Sequence, residues 1–68
     1  PTMRDDLRSA IEHCVQALGV RETGRRIGCS HVAVGTHRDG RHEPGDTLGQ
    51  AYRELARELG WEDGKQSP

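Results

Sequence analysis

Apolar side chains fall at Leu7, Ile11, Cys14, Val15 and Leu18. The spacing i, i+4, i+7, i+8, i+11 places all five on one side of a coil with 3.6 residues per turn. Thr2, Asp5 or Asp6 marks the start of this helix, near the positive end of its dipole. Gly19 marks its end, where a left-handed terminal residue is wanted. Leu48, Ala51, Tyr52, Leu55, Ala56 and Leu59 repeat the stripe further along the chain. Thr47-Leu48-Gly49-Gln50 before it has the form of a capping box, with Asp46 a rival cap. Gly60 closes this second helix. Its outer side carries Arg53/Arg57 and Glu54/Glu58, same-sign pairs at i, i+4 that make the face polar without stabilising it.

Between the two stripes, residues 20–45 are poor in apolar side chains and rich in glycine. No stretch alternates with period two for long enough to predict a strand, so the chain is expected to be all-α. Val20 to Ile27 is long enough for two turns, and Gly28 then breaks the helix. Ser30 is placed to cap a new helix from about His31 to Arg38. Asp39-Gly40 ends that helix with a turn dipeptide. In the connector Arg41-His42-Glu43-Pro44-Gly45, Pro44 disfavours helix at Glu43. The expected architecture is a compact four-helix bundle, with about four to five helices, in a domain over residues 1–61. Residues 62–68 are expected to form a flexible tail.

The length of 68 residues allows one small domain of marginal stability, with no room for a catalytic domain beside a cofactor domain. The longest uninterrupted apolar run is Val32-Ala33-Val34, so no membrane span is expected. The first residues lack an apolar signal core, and two cysteines make no disulfide scaffold; a cytoplasmic protein is expected. The formal net charge is −1, which argues against coating nucleic acid by bulk charge. The distribution is uneven. Residues 21–43 carry +2, with His31, His37 and His42 among them, between flanks of −1 and −2. Any polyanion should therefore meet the middle of the chain.

No metal, cofactor or small-molecule substrate is expected. The cysteines and histidines fit no zinc spacing. His13 and Cys14 are adjacent, so on a helix they point about 100° apart. Cys14 lies on the apolar stripe and Cys29 follows the turn glycine, so both read as small core residues. Nothing in the chain assembles a catalytic constellation, and an enzyme is not expected.

The informative stretch is 20–40. Two short helices can cross closely at a corner only if a small residue sits where the backbones meet. Gly24 supplies that residue, and Gly28 supplies the tight turn. Ile27 and Cys29 flank the turn, and Val34 lies on the inward side of the second helix. Small–x3–Gly–x5–Val is the spacing that such a corner requires.

These residues resemble the helix-turn-helix of phage repressors, Cro-like proteins and the lambda-type phage activator. The family pattern reads here as Gly24, Gly28, Cys29, Ser30 and Val34. Arg38-Asp39-Gly40-Arg41-His42-Glu43-Pro44 is similar to the family's exit from its recognition helix, and Leu59-Gly60 to the end of its closing helix. The resemblance spans residues 7–61. The chain departs from the pattern at Gly24, where Ala is commoner, at Thr23, at His37 and at Gly35. The resemblance implies sequence-specific binding of duplex DNA by a transcriptional regulator of repressor type that pairs as a homodimer on its site. It places Ser30, His31, Val32, Gly35, Thr36 and Arg38 against the bases, with Arg38 reaching either a guanine edge or a phosphate. Arg21, Arg25, Arg26, Arg41 and His42 fall to the phosphates. The dimer surface is expected around the last helix and Trp61.

Blander readings stand beside these. Arginines on a helix exterior are commonly just solvated, and His31 can be an ordinary surface residue. His37 is expected to be a packing residue with a satisfied nitrogen, and Trp61 to pack the last helix on the core. A different function also fits the pattern: a small helical protein-interaction module, such as an antitoxin or a phage-encoded inhibitor, using the same fold on a protein partner.

Overall fold

The computed structural model describes residues 2–62, and the side chains of residues 6–62. The described residues form three helices and no strand: α1 (Thr2–Ile27), α2 (His31–Asp39) and α3 (Asp46–Glu58). This corrects the expected four to five. The difference lies at Gly19, which breaks helical geometry (φ 88°, ψ 163°) without opening a loop. That combination of angles is essentially restricted to glycine. Helix resumes at once, so the two expected segments form the arms of one kinked α1. Thr23 fixes the kink. It is fully buried, and its hydroxyl donates to the Cys14 carbonyl at 3.2 Å, tying one arm to the other. The absence of an aliphatic residue at Thr23 thereby has a cause.

Helix α1 packs against both α2 and α3. Ala10, Ile11 and Cys14 of its apolar stripe meet Tyr52, Leu55 and Ala56 of α3 and Val34 of α2 in one buried cluster. Leu7, Val15, Leu18 and Leu59 pack around this cluster, half-buried. Trp61 is 8% exposed, and its indole N–H donates to the Ser9 hydroxyl at 3.0 Å. His13 Nε2–H donates to the Leu59 carbonyl at 3.0 Å, so the far arm of α1 also satisfies an end carbonyl of α3. No helix is long and apolar enough to cross a membrane among the described residues.

The ends of α2 follow the expected chemistry. Ser30 Oγ accepts from Ala33 N–H at 3.1 Å and caps α2. Gly40 (φ 84°) closes α2, with Gly40 N–H on His37 O and Arg41 N–H on Thr36 O, both 3.1 Å. Helix α3 starts differently from expectation. Its cap is Gly45, with no side-chain cap bond, and Asp46 and Thr47 lie inside the first turn. Asp46 there still favours the positive end of the helix dipole. Residues 63–68, most of the expected tail, lie outside the described residues.

Candidate nucleic-acid interface

The corner between α1 and α2 is tighter than an ordinary helix crossing. Gly24 is buried, and its carbonyl accepts from both Gly28 N–H (2.8 Å) and Cys29 N–H (2.9 Å). A Cβ at Gly24 would stand 2.5 Å from the Cys29 carbonyl oxygen and 3.2–3.3 Å from Ser30 C and His31 N. All three are backbone atoms, so the turn itself lies on the glycine. Gly28 passes the chain through the left-handed region at φ 90°. The turn is thus pressed against α1, and the start of α2 is fixed beside the last turn of α1.

Inward, α2 is held by Val34, which is fully buried, and by His37. His37 Nδ1 shares a 2.8 Å hydrogen bond with the buried Tyr52 hydroxyl, and the rings meet edge to face at 5.7 Å. His37 is therefore a packing residue with a satisfied nitrogen, as expected. Burial, and then the nearby His42, hold its imidazole below the ordinary value of 6.5. Burial also raises the Tyr52 hydroxyl, with further upward pushes from Cys29 and Cys14. It raises the Cys29 thiol, and it lifts the Cys14 thiol to about 11. Both cysteines are free, and at neutral pH both are protonated and unreactive.

The His37 shift has a consequence for stability. The unfolded chain binds a proton near 6.5, and the folded chain does so only at lower pH. In that window the unfolded state holds more protons, so stability falls as pH drops below about 6.5. Thermal melts between about pH 7 and about pH 5 should show this loss, and His37→Gln should flatten it. An equal slope in both proteins would show that His37 does not carry the effect.

Outward, α2 exposes His31, Val32, Arg38 and Asp39, with Gly35 and Thr36 half-buried on the same side. Val32 is 65% exposed, and it is the one large hydrophobic side chain that is exposed among the described residues. A Cβ at Gly35 would meet nothing within 4 Å, so that stretch of backbone lies open. Thr36 Oγ1 donates to the Val32 carbonyl at 3.0 Å, leaving its lone pairs outward. Ser30 differs from the rest of the set: its Oγ already accepts from the cap, which leaves its hydroxyl proton and one lone pair.

The expected phosphate residues are exposed at the two ends of α2. Arg25 and Arg26 lie on the last turn of α1, before the start of α2, and Arg21 lies one turn earlier. Arg41 and His42 follow its end. Glu22 pairs with Arg26 (2.9 Å) and more distantly with Arg25 (3.9 Å). Such exposed pairs hold little free energy and exchange readily for a stronger anion. Arg38 lies 3.9 Å from Asp39.

Sequence reasoning missed Arg8. It comes from the far end of α1, yet a Cβ at Gly40 would lie 3.8 Å from its guanidinium carbon. No local pattern signals that approach, because it depends on how α1 and α2 cross. Arg8 lines an open cleft of about 400 Å³ with Leu7, Ile11, His37, Gly40 and residues 41–44. Among the described residues, no three His, Cys, Asp or Glu side chains gather as a metal set. Comparison with protein-family models, curated proteins and solved structures finds no match.

Proposed function

We propose that the chain binds duplex DNA sequence-specifically through α2 and acts as a transcriptional regulator, a repressor by mode. The observation that carries this reading is the outer face of α2. A 65% exposed valine sits there beside His31, Thr36 and the open Gly35 backbone, with arginines at both ends. An apolar side chain left in water has a use if it meets a thymine methyl. His31, with a donor and an acceptor, and Thr36, with its free lone pairs, suit base edges. Gly35 lets the helix backbone come close. Arg21, Arg25, Arg26, Arg41 and His42 set the docking angle on phosphates.

The protein pairs on its site rather than before it. Trp61, expected near the dimer surface, is buried against Ser9 and unavailable for it. Apart from Val32, no large hydrophobic is exposed among the described residues, so no apolar patch there joins free copies. Sedimentation should give one chain free and two chains per palindromic duplex. A stable dimer without DNA, or one chain on a palindrome, contradicts this.

In vitro selection from random duplexes tests the function itself. Enrichment of a short, two-fold-symmetric site is expected, with affinity that falls steeply as salt rises through counterion release. One observation favours the protein-interaction reading instead: Glu22 already neutralises part of the arginine cluster. Absence of salt-sensitive binding at micromolar protein would leave that second reading standing.

A further inference from the structure

We propose that the cleft at the exit of α2 is a phosphodiester-binding site in which Arg8, a residue of α1, grips the DNA backbone together with Arg41 and His42. The inference rests on the DNA-binding reading above and adds to it a contact supplied from outside the helix-turn-helix stretch.

Arg8, Arg41 and His42 are exposed and converge on one cleft of about 400 Å³, with Glu43 the one acid in its lining. Among the described residues, no ion pair involves Arg8, Arg41 or His42. On a chain with net charge −1, three such groups gathered at one cleft and paired with no carboxylate among the described residues are available to an external anion. Leu7 and Pro44 add apolar surface between the basic groups, suited to the sugar that accompanies each phosphate in a nucleic-acid backbone.

Helix α2 has nine residues and so spans about 13 Å along its axis. The major groove of duplex DNA is about 12 Å wide. Arg25 and Arg26 lie at the start of α2, and Arg8, Arg41 and His42 lie at its end. A helix seated in the groove therefore has a basic cluster beyond each of its ends, where the backbone phosphates lie. Without Arg8 the exit side would hold Arg38 and Arg41, and Arg38 is the one that also faces the bases. The Arg8 guanidinium lies against the left-handed turn at Gly40 (φ 84°), within van der Waals reach of the end of α2.

Arg8 is exposed, so its replacement leaves the core intact. The test is the salt dependence of binding to a labelled random-sequence duplex, measured by fluorescence anisotropy for wild type, Arg8→Gln and Arg8→Lys. Thermal melts confirm that all three are folded. Arg8→Gln should reduce the slope of log affinity against log salt by about 0.9, and should weaken binding alike on all sequences. Arg8→Lys should keep the slope, since it keeps the charge. A wild type that binds with a steep slope, and an Arg8→Gln variant with the same slope, would overturn the clamp and leave the DNA-binding function intact. A wild type with no salt-sensitive binding would overturn both.

Discussion

Gly24→Ala should destabilise the protein, although alanine is the better helix former. On propensity alone the change gains about 1 kcal/mol. The added methyl, however, would stand 2.5 Å from the Cys29 carbonyl oxygen and 3.2 Å from Ser30 C. Those atoms belong to the turn backbone, which cannot rotate away as a flexible side-chain tip can. Relief requires α2 to move off α1, and that disturbs Val34 and the His37–Tyr52 bond together. Overpacking of this kind costs about 3 kcal/mol or less. The net loss should reach at most about 2 kcal/mol, a fall in melting temperature of up to about 10 °C for a domain this small. Thermal melts by circular dichroism measure it directly. An alanine variant as stable as wild type would mean that the corner is looser than described.

The second large effect concerns binding with no change in stability. Val32 is 65% exposed, so Val32→Asp removes almost nothing from the core. Under the proposed function the same change takes an apolar contact from a base edge and sets a carboxylate in the groove, among phosphates. The loss should be about 2 kcal/mol, about thirtyfold in affinity, on the selected duplex. Melting temperature should stay close to wild type. Unchanged affinity would remove α2's outer face from the interface.

The two effects divide the corner into an inner and an outer surface, and the sequence foreshadowed them unequally. The inner surface was legible because steric necessity selects particular residues. Gly24, Gly28 and Gly40 sit where the backbone needs them, Ser30 caps α2, and the apolar stripes of α1 and α3 meet as their periodicity predicts. The pairing of His37 was also anticipated, since a histidine on an inward face must satisfy its nitrogen.

Three features were not legible, each for a physical reason. Gly19 reads as a helix end, because one glycine at φ 88° interrupts a helix in the same way whether the chain then leaves or continues. Continuation here depends on Thr23 reaching back to Cys14 O, a contact nine residues long. The start of α3 offered two side-chain caps in sequence, yet Gly45 occupies the cap position and leaves both within the helix. Arg8 has no local signal at all, since its role is created by the crossing of α1 over the end of α2. Propensity and capping rules act over a few residues, and the kink at Gly19 and the placement of Arg8 were decided by contacts beyond that range.

The most direct test of the account is a chemical-shift map of the isotope-labelled protein titrated with a duplex obtained by selection. The amides of His31, Val32, Gly35 and Thr36 should move most, with smaller shifts at Arg25, Arg26 and Arg41, and α3 should stay in place. Shifts confined to α3, or no shifts anywhere under low-salt conditions, would contradict the claim that the outer face of α2 reads DNA.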